Sequence, residues 1–103
     1  MTVYMQATLE LGYKTLPIFL GVAPKMKAIV EKSGNWEMVS ALVSKIGPAN
    51  TVVHLWRLPD MNAFDTGVRA ITEHEEAGAI YAALCESGAK ETICFFEAAP
   101  YCP

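Results

Sequence analysis

The first eleven residues of the chain alternate between apolar and polar side chains. The odd positions from Val3 to Leu11 are apolar, and the even positions between them are Tyr4, Gln6, Thr8 and Glu10. Because successive side chains of a strand point to opposite faces, residues 2–11 are predicted to form a half-buried strand. Its second face is polar but weakly charged, so we expect that face to be covered.

A helix is predicted to follow, ending at Ser33-Gly34-Asn35. Apolar residues recur three or four positions apart, Thr15 is a candidate N-cap and Pro17 suits the first turn. Pro24 falls inside this pattern. Because proline has no N–H to donate, Pro24 is expected to kink or restart the helix.

The middle of the chain predicts a β-hairpin. Residues 36–46 favour a strand, residues 47–50 (Gly-Pro-Ala-Asn) supply a turn of two to four residues, and residues 50–58 are rich in β-branched side chains. In the last of these segments His54 and Trp56 lie two positions apart. They therefore project from the same face of the strand.

Residues 60–76 predict a second helix, with Asp60 as its N-cap and charges spaced for ion pairs on its exposed side. Gly78 interrupts the pattern, a further helical segment follows, and residues 90–98 form the last strand. The order β-α-β-β-α-β predicts one α+β domain, residues 1–103, with the ferredoxin-like fold. In that fold helices cover one face of a four-stranded antiparallel sheet.

The uncovered sheet face predicts a homodimer. A second copy packed face to face would cover it and form a dimeric α/β barrel. The composition agrees, because 52% hydrophobic residues and a mean hydropathy of +0.25 are high for a small monomer.

Other classes of function are not supported by the sequence. The net charge of −3, without a run of Lys or Arg, argues against a nucleic-acid partner. No apolar stretch approaches the roughly 20 residues of a membrane span. Three widely spaced cysteines are interpreted as reduced thiols of a cytoplasmic protein. No dinucleotide, phosphate or metal motif occurs, so no cofactor and no metal site are predicted.

His54 and Trp56 are the candidate ligand-binding pair, with two interpretations. They line a small-molecule pocket, His54 as a base or hydrogen-bond donor, or they are packing residues, His54 being a satisfied buried imidazole. Packing is favoured because no acid or nucleophile stands beside them. Tyr4 and Gln6 either border a cavity or hydrogen-bond across the dimer seam, the seam being favoured. Trp36 belongs to an aromatic set that favours packing over ligand contact.

Three segments of the chain resemble the NIPSNAP family of dimeric α/β-barrel proteins. They are the second strand running into Gly47-Pro48, the strand of residues 50–57 (Asn-Thr-Val-Val-His-Leu-Trp-Arg), and the closing strand running into residues 99–101 (Ala-Pro-Tyr). The resemblance implies a ferredoxin-like protomer and a homodimer, and it implies no established reaction. Family members commonly carry several arginines in the helix after the central strand. This chain has Arg69 alone there, as the candidate ligand-binding residue of that helix.

Three hypotheses for function remain. The first is a homodimeric barrel that binds a small, mostly apolar ligand. The second is a cofactor-independent monooxygenase of the same superfamily; such enzymes often carry a His in the helix after the third strand, where this chain has none before His74. The third is a protein-interaction module. A pocket of a few hundred Å³ with His54 in its wall would favour the first two, and a solid core the third.

Overall fold

The computed structural model describes residues 1–103 and contains four strands and three helices. They are β1 (Val3–Glu10), α1 (Thr15–Ser33), β2 (Glu37–Val43), β3 (Thr51–Leu58), α2 (Asn62–Glu73), α3 (Glu75–Glu86) and β4 (Lys90–Phe96). The predicted α+β class and the four-stranded antiparallel sheet are confirmed. The second helical region forms two helices, so the order is β-α-β-β-α-α-β. None of the helices has the length and apolar character needed to cross a membrane.

The sheet has the strand order β2-β3-β1-β4, which places β1 and β3 at its centre. Ala7 of β1 pairs with His54 of β3 on one side and with Ile93 of β4 on the other. Residues paired across an antiparallel ladder share a face, so His54 and Trp56 lie on the same side as the odd residues of β1. That side is buried under the helices, where Met5 is only 1% exposed.

We call the opposite side of the sheet the open face. It consists of the even residues of β1, the odd residues of β3 and the residues paired with them on β2 and β4. Leu42 and Phe96 on this face are 58% and 49% exposed. Cys94 is also exposed here because the alternation along β4 turns it away from the helices.

Helix α1 is a continuous helix of 19 residues that includes Pro24. The expected restart at this proline is therefore wrong. Thr15 is the first helical residue rather than the cap, and the residue before it, Lys14, makes no side-chain capping bond. The end of the helix agrees with the prediction, since Gly34 follows Ser33 and its N–H donates to the carbonyl of Val30 at 2.9 Å.

His74 separates α2 from α3. Its backbone is extended (φ −80°, ψ 122°), and its Nδ1 accepts a hydrogen bond from the Ala77 N–H at 3.2 Å. The helix predicted to reach Glu76 thus ends three residues earlier, and the break lies at His74 rather than at Gly78. Asp60 lies one residue before Met61, the N-cap of α2, but it still makes a capping hydrogen bond, because its Oδ1 accepts from the Ala63 N–H at 3.0 Å.

The ion pairs expected along the exposed side of the second helical region do not form. Glu76 pairs instead with Lys25 of α1, at 2.5 Å. This contact joins α3 to α1 across the outside of the helix layer, where both side chains are more than half exposed. Ion pairs at such exposed positions add little to stability.

The connection between β2 and β3 spans residues 44–50 and is longer than the predicted two to four residues. Gly47 (φ 121°) and Asn50 (φ 57°) both adopt positive φ, which glycine and asparagine tolerate best. The Ser44 N–H donates to the Thr51 carbonyl at 2.8 Å and closes the connection. A β-bulge at Val39 interrupts the pairing of β2 with β3.

The core between the sheet and the helices forms two clusters. The first contains Met5, Val30, Trp36, Trp56, Leu58 and Ala63. The second contains Leu9, Leu11, Phe19 and Val52. Only 15 of the 103 residues are buried. A space between the sheet and the helices borders both clusters.

Candidate functional site

The middle row of the sheet places two alanines beside His54. On the helix-facing side His54 pairs with Ala7 of β1 and with Ala41 of the edge strand β2. The rows before and after this one carry larger residues on β1 and β3, including Trp56 and Leu9. Ala7 in the middle row therefore leaves space under the helices, whereas Ala41 is exposed at the edge of the sheet and does not line that space.

This space is a cavity of about 300 Å³ between the sheet and the helices. Hydrophobic residues make up 17 of its 22 lining residues, and Ala23 of α1 faces it from the helix layer. Rings form much of the wall, from Phe19, Trp36, His54, Trp56, Phe64 and Tyr81. An apolar cavity of this size with few polar groups has the physical character of a small-molecule site.

Solid aromatic packing closes one end of the cavity. The Trp36 ring lies edge-on to Trp56, with centroids 5.3 Å apart, and stacks on Phe64 at 6.1 Å. Its indole N–H donates to the Ala63 carbonyl at 2.7 Å. Gly67 of α2 approaches the indole so closely that a Cβ at this position would overlap the ring. Trp36 is thus fixed as a wall and has no donor left for a ligand.

His54 is half-buried in the cavity wall. Its ring centroid lies 5.7 Å from Phe19 and 6.0 Å from Trp56. No protein group hydrogen-bonds to the imidazole. Every fully buried side-chain nitrogen or oxygen has a hydrogen-bond partner. Because the ring nitrogens of His54 have none, they are not fully buried and remain accessible. The satisfied buried imidazole of the packing interpretation is therefore wrong.

Desolvation lowers the pKa of His54 below its usual 6.5. Because burial disfavours the charged form, the imidazole is neutral at neutral pH. A neutral imidazole offers one N–H donor and one acceptor nitrogen. The cavity therefore contains one ring able to exchange hydrogen bonds with a bound molecule or to accept its proton.

Tyr81 and Cys85 of α3 and Glu91 of β4 also line the cavity. All three are exposed, so they mark its opening to solvent. Desolvation raises the pKa of Tyr81, and the nearby Glu91 and Cys85 raise it further. Desolvation also raises the pKa of Glu91. The opening therefore brings together a hydroxyl, a thiol and a carboxylate.

The structure brings together three of the six predicted site residues. Those that line the cavity are His54, Trp56 and Trp36. Tyr4 and Gln6 lie on the open face, behind the sheet, where the Arg57 guanidinium is 5.7 Å from the Tyr4 ring centroid. Arg69 is exposed on α2, outside the cavity and without an ion pair. The helix layer and the open face are thus separate environments.

Sequence reasoning missed the residues that give the cavity its space and its opening. Ala7 did carry a signal, because it is the smallest side chain on the otherwise bulky apolar face of β1. Ala23 has the same small size on α1. Tyr81 and Glu91 come from different elements that only the tertiary fold brings together, so no spacing in the sequence indicates that they lie near each other.

The fold and the cavity define a ferredoxin-like domain with an apolar pocket between its sheet and its helices. No protein-family model matches the sequence, and no curated protein matches it. Among solved structures, a NIPSNAP family protein from Agrobacterium tumefaciens matches with a TM-score of 0.82 at 12% identity, over 100% of this chain and 98% of that one. The chain therefore has the fold of a NIPSNAP family protein, and the resemblance inferred from its sequence is confirmed at the level of the fold.

Two further structural neighbours bear on assembly and chemistry. A dimeric ferredoxin-like protein from an uncultured marine organism matches with a TM-score of 0.70 at 14% identity, over 95% of both chains. A Deinococcus radiodurans protein, whose description proposes an antibiotic biosynthesis monooxygenase, matches with a TM-score of 0.66 at 14% identity, over 94% of this chain and 92% of that one. At these identities the likeness concerns the fold alone.

Proposed function

We propose that this protein is a homodimer in which each protomer binds a small, mostly apolar ligand between its sheet and its helices. The cavity of about 300 Å³ between the two core clusters carries the proposal. Protein interiors normally contain few voids larger than a water molecule, so a space of this size is typical of a binding site. A protein-interaction module would not require such a cavity.

His54 is the polar group that orients the ligand. A hydroxyl or carbonyl oxygen on an otherwise apolar molecule would satisfy one of its two ring nitrogens. A charged group at this position would lose its hydration without meeting a counter-charge, because Phe19 and Trp56 flank the imidazole. We therefore expect a neutral oxygen at His54 and apolar atoms against the two neighbouring rings.

A neutral fluorescent probe tests ligand binding. N-phenyl-1-naphthylamine should bind the purified protein and gain fluorescence. Ala23→Leu, which places a larger side chain into the cavity, should weaken binding about tenfold or more, since the added atoms occupy space that the probe needs. Ala28→Leu makes the same change at an exposed position of the same helix and should leave binding unchanged. A folded protein that does not bind the probe, or equal effects of the two substitutions, would refute ligand binding in the cavity.

The charge distribution of the open face supports the homodimer. Its charged groups pair within the chain at two ends, Arg57 with Glu37 at 2.8 Å and Lys90 with Glu10 at 3.8 Å. The two rows of residues between these ends are uncharged and include the half-buried Leu55. A neutral centre with a polar rim is typical of an interface, and a two-fold axis would pair this surface with itself.

Sedimentation tests the dimer. The wild-type protein at micromolar concentration should sediment at about twice the protomer mass of 11.2 kDa. Thr8→Lys in the middle of the open face should give a monomer, because two-fold symmetry brings the added charges close together. Thr66→Lys on the exposed side of α2 is the matched control and should remain dimeric. A monomeric wild type would refute the assembly without affecting the ligand site.

A cofactor-independent monooxygenase is the second candidate function. The Deinococcus radiodurans neighbour supports it, and so does an accessible neutral imidazole that can accept a proton from a bound substrate. His74, the other histidine, is occupied as the cap of α3. Oxygen uptake with quinol-type substrates that His54→Ala abolishes would support this activity. A folded dimer without turnover would exclude it for those substrates.

A further inference from the structure

Not all of the charged residues that line the cavity have an ion-pair partner. They are Lys27, Lys90 and Glu91. Lys27 pairs with Glu31 at 2.7 Å on α1, and the Lys90 ammonium lies 3.8 Å from Glu10. Glu91 has no ion-pair partner in the chain. The opening of the cavity therefore contains one carboxylate without a counter-charge.

The position of Glu91 directs its carboxylate toward the cavity. It pairs with Leu9 on the helix-facing side of the sheet, and Tyr81 of α3 lies near it. Desolvation raises the pKa of Glu91, so its surroundings withdraw the carboxylate from water although part of the side chain is exposed. Charges attract each other more strongly where water is excluded. The carboxylate is thus placed to attract a cation at the opening.

We infer that the ligand is an apolar amine whose ammonium group lies between Glu91 and Tyr81 while its apolar body occupies the cavity. This inference rests on the proposed ligand site. Tyr81 contributes a ring face and a hydroxyl oxygen, both of which attract a cation. A carboxylic acid of the same shape would bring a second negative charge to Glu91 and bind poorly.

The register of the sheet sets the length that such a ligand spans. Glu91 on β4 and His54 on β3 lie two strands apart, on either side of β1, and are offset by two residues. Strand spacing and rise then separate their Cα atoms by about 12 Å. One molecule with an amine at one end and an apolar or neutral polar group at the other can therefore reach from the opening to His54.

Three compounds with one shared body test the inference: 4-phenylbutylamine, 4-phenylbutanol and 4-phenylbutyrate. Titration calorimetry at pH 7 should give the amine about tenfold higher affinity than the alcohol, and the carboxylate a lower affinity than either. Glu91→Gln should remove the advantage of the amine and leave the alcohol within about twofold of wild type. Glu91→Asp keeps the charge and should keep the preference. Glu97→Gln, an exposed position outside the cavity, is the matched control and should change nothing.

The outcomes separate the two proposals. If the alcohol binds as tightly as the amine, or if Glu91→Gln retains the preference, the amine inference is wrong and the apolar site stands. If N-phenyl-1-naphthylamine binds and responds to Ala23→Leu but 4-phenylbutylamine does not bind, the amine inference is likewise wrong and the apolar site stands. If no compound binds to folded protein, both proposals are wrong.

Discussion

The Trp36 end of the sheet–helix layer is solid, whereas the middle of the same layer is hollow. Both regions lie on β1 and β3 with regular antiparallel pairing. At the solid end Trp36 fills the space and Gly67 lets α2 meet the indole directly. In the middle, Ala7 and Ala23 leave the space beside His54 empty. The size of a few side chains therefore decides whether this layer packs as a core or encloses a cavity.

The two regions also treat their polar groups differently. The indole N–H of Trp36 is paired with the Ala63 carbonyl, as a polar group in a packed core must be. The imidazole of His54 has no protein partner and stays accessible from the cavity. A polar group without a protein partner is tolerated where water or a ligand can reach it. The packed region and the region with an accessible polar group therefore lie at different positions along the same strand pair, β1 and β3.

The largest effect is expected at the solid end, from Gly67→Ala. The new Cβ would overlap the Trp36 indole, which its hydrogen bond to Ala63 holds in place. The free energy of unfolding should fall by about 3 kcal/mol, the upper part of the range for overpacked cores. Urea unfolding followed by tryptophan fluorescence measures the change.

Gly21→Ala is the control for this substitution. A Cβ at Gly21, inside α1, would meet no atom within 4 Å beyond its chain neighbours and the adjacent backbone of its own helix. Alanine is the better helix former, so this variant should be more stable by about 0.5–1 kcal/mol. If Gly67→Ala proved equally well tolerated, the Trp36 end would not be rigidly packed and the contrast with the middle would fail.

A smaller effect is expected from His54→Phe in the hollow middle. At pH 8 the variant should be about 1 kcal/mol more stable, because an apolar ring replaces an imidazole without a protein partner. The folded pKa of His54 lies below 6.5, so on acidification the unfolded wild type binds the proton first. Wild-type stability should therefore fall as the pH drops through 6.5 and level off below the folded pKa.

Thermal unfolding between pH 8 and pH 5 measures this dependence. The His54 contribution should be absent from His54→Phe. Identical pH profiles for wild type and His54→Phe would mean that the imidazole is as well solvated as in the unfolded chain.

The smallest effect on stability is expected from Ala23→Leu. The added atoms enter space that already exists, so the free energy of unfolding should change by less than about 1 kcal/mol, below the usual penalty for overpacking. Urea unfolding measures it beside Gly67→Ala. A loss as large as that of Gly67→Ala would show that the middle of the layer is packed in solution.

Most of the fold follows from local patterns in the sequence. The alternation along β1 predicts both its bounds and its buried face, because only one face of that strand is apolar. The predicted connection is shorter than the observed residues 44–50. Gly47 and Asn50 are residue types that tolerate the positive φ found there, so they indicate a turn but not its length. The break at His74 was misplaced because the capping group is an imidazole rather than one of the usual small polar side chains.

The orientation of His54 could not be read from β3 itself. That strand is apolar on both sides, with Val52 and Leu58 on one and Val53 and Leu55 on the other. Its alternation therefore gives no direction, and only pairing with β1 defines the side on which His54 lies. The opening, where residues of α3 and β4 line the same cavity, depends on tertiary structure in the same way, so the site was only partly predictable.

The alanines around His54 also bear on how such proteins diverge. The width of the cavity is set by the side chains of Ala7 and Ala23, not by the course of the backbone. Its capacity can therefore shrink or grow by one methyl group at a time, while every strand pairing is inherited unchanged. In an architecture of this kind, single substitutions can resize the cavity while the fold stays the same.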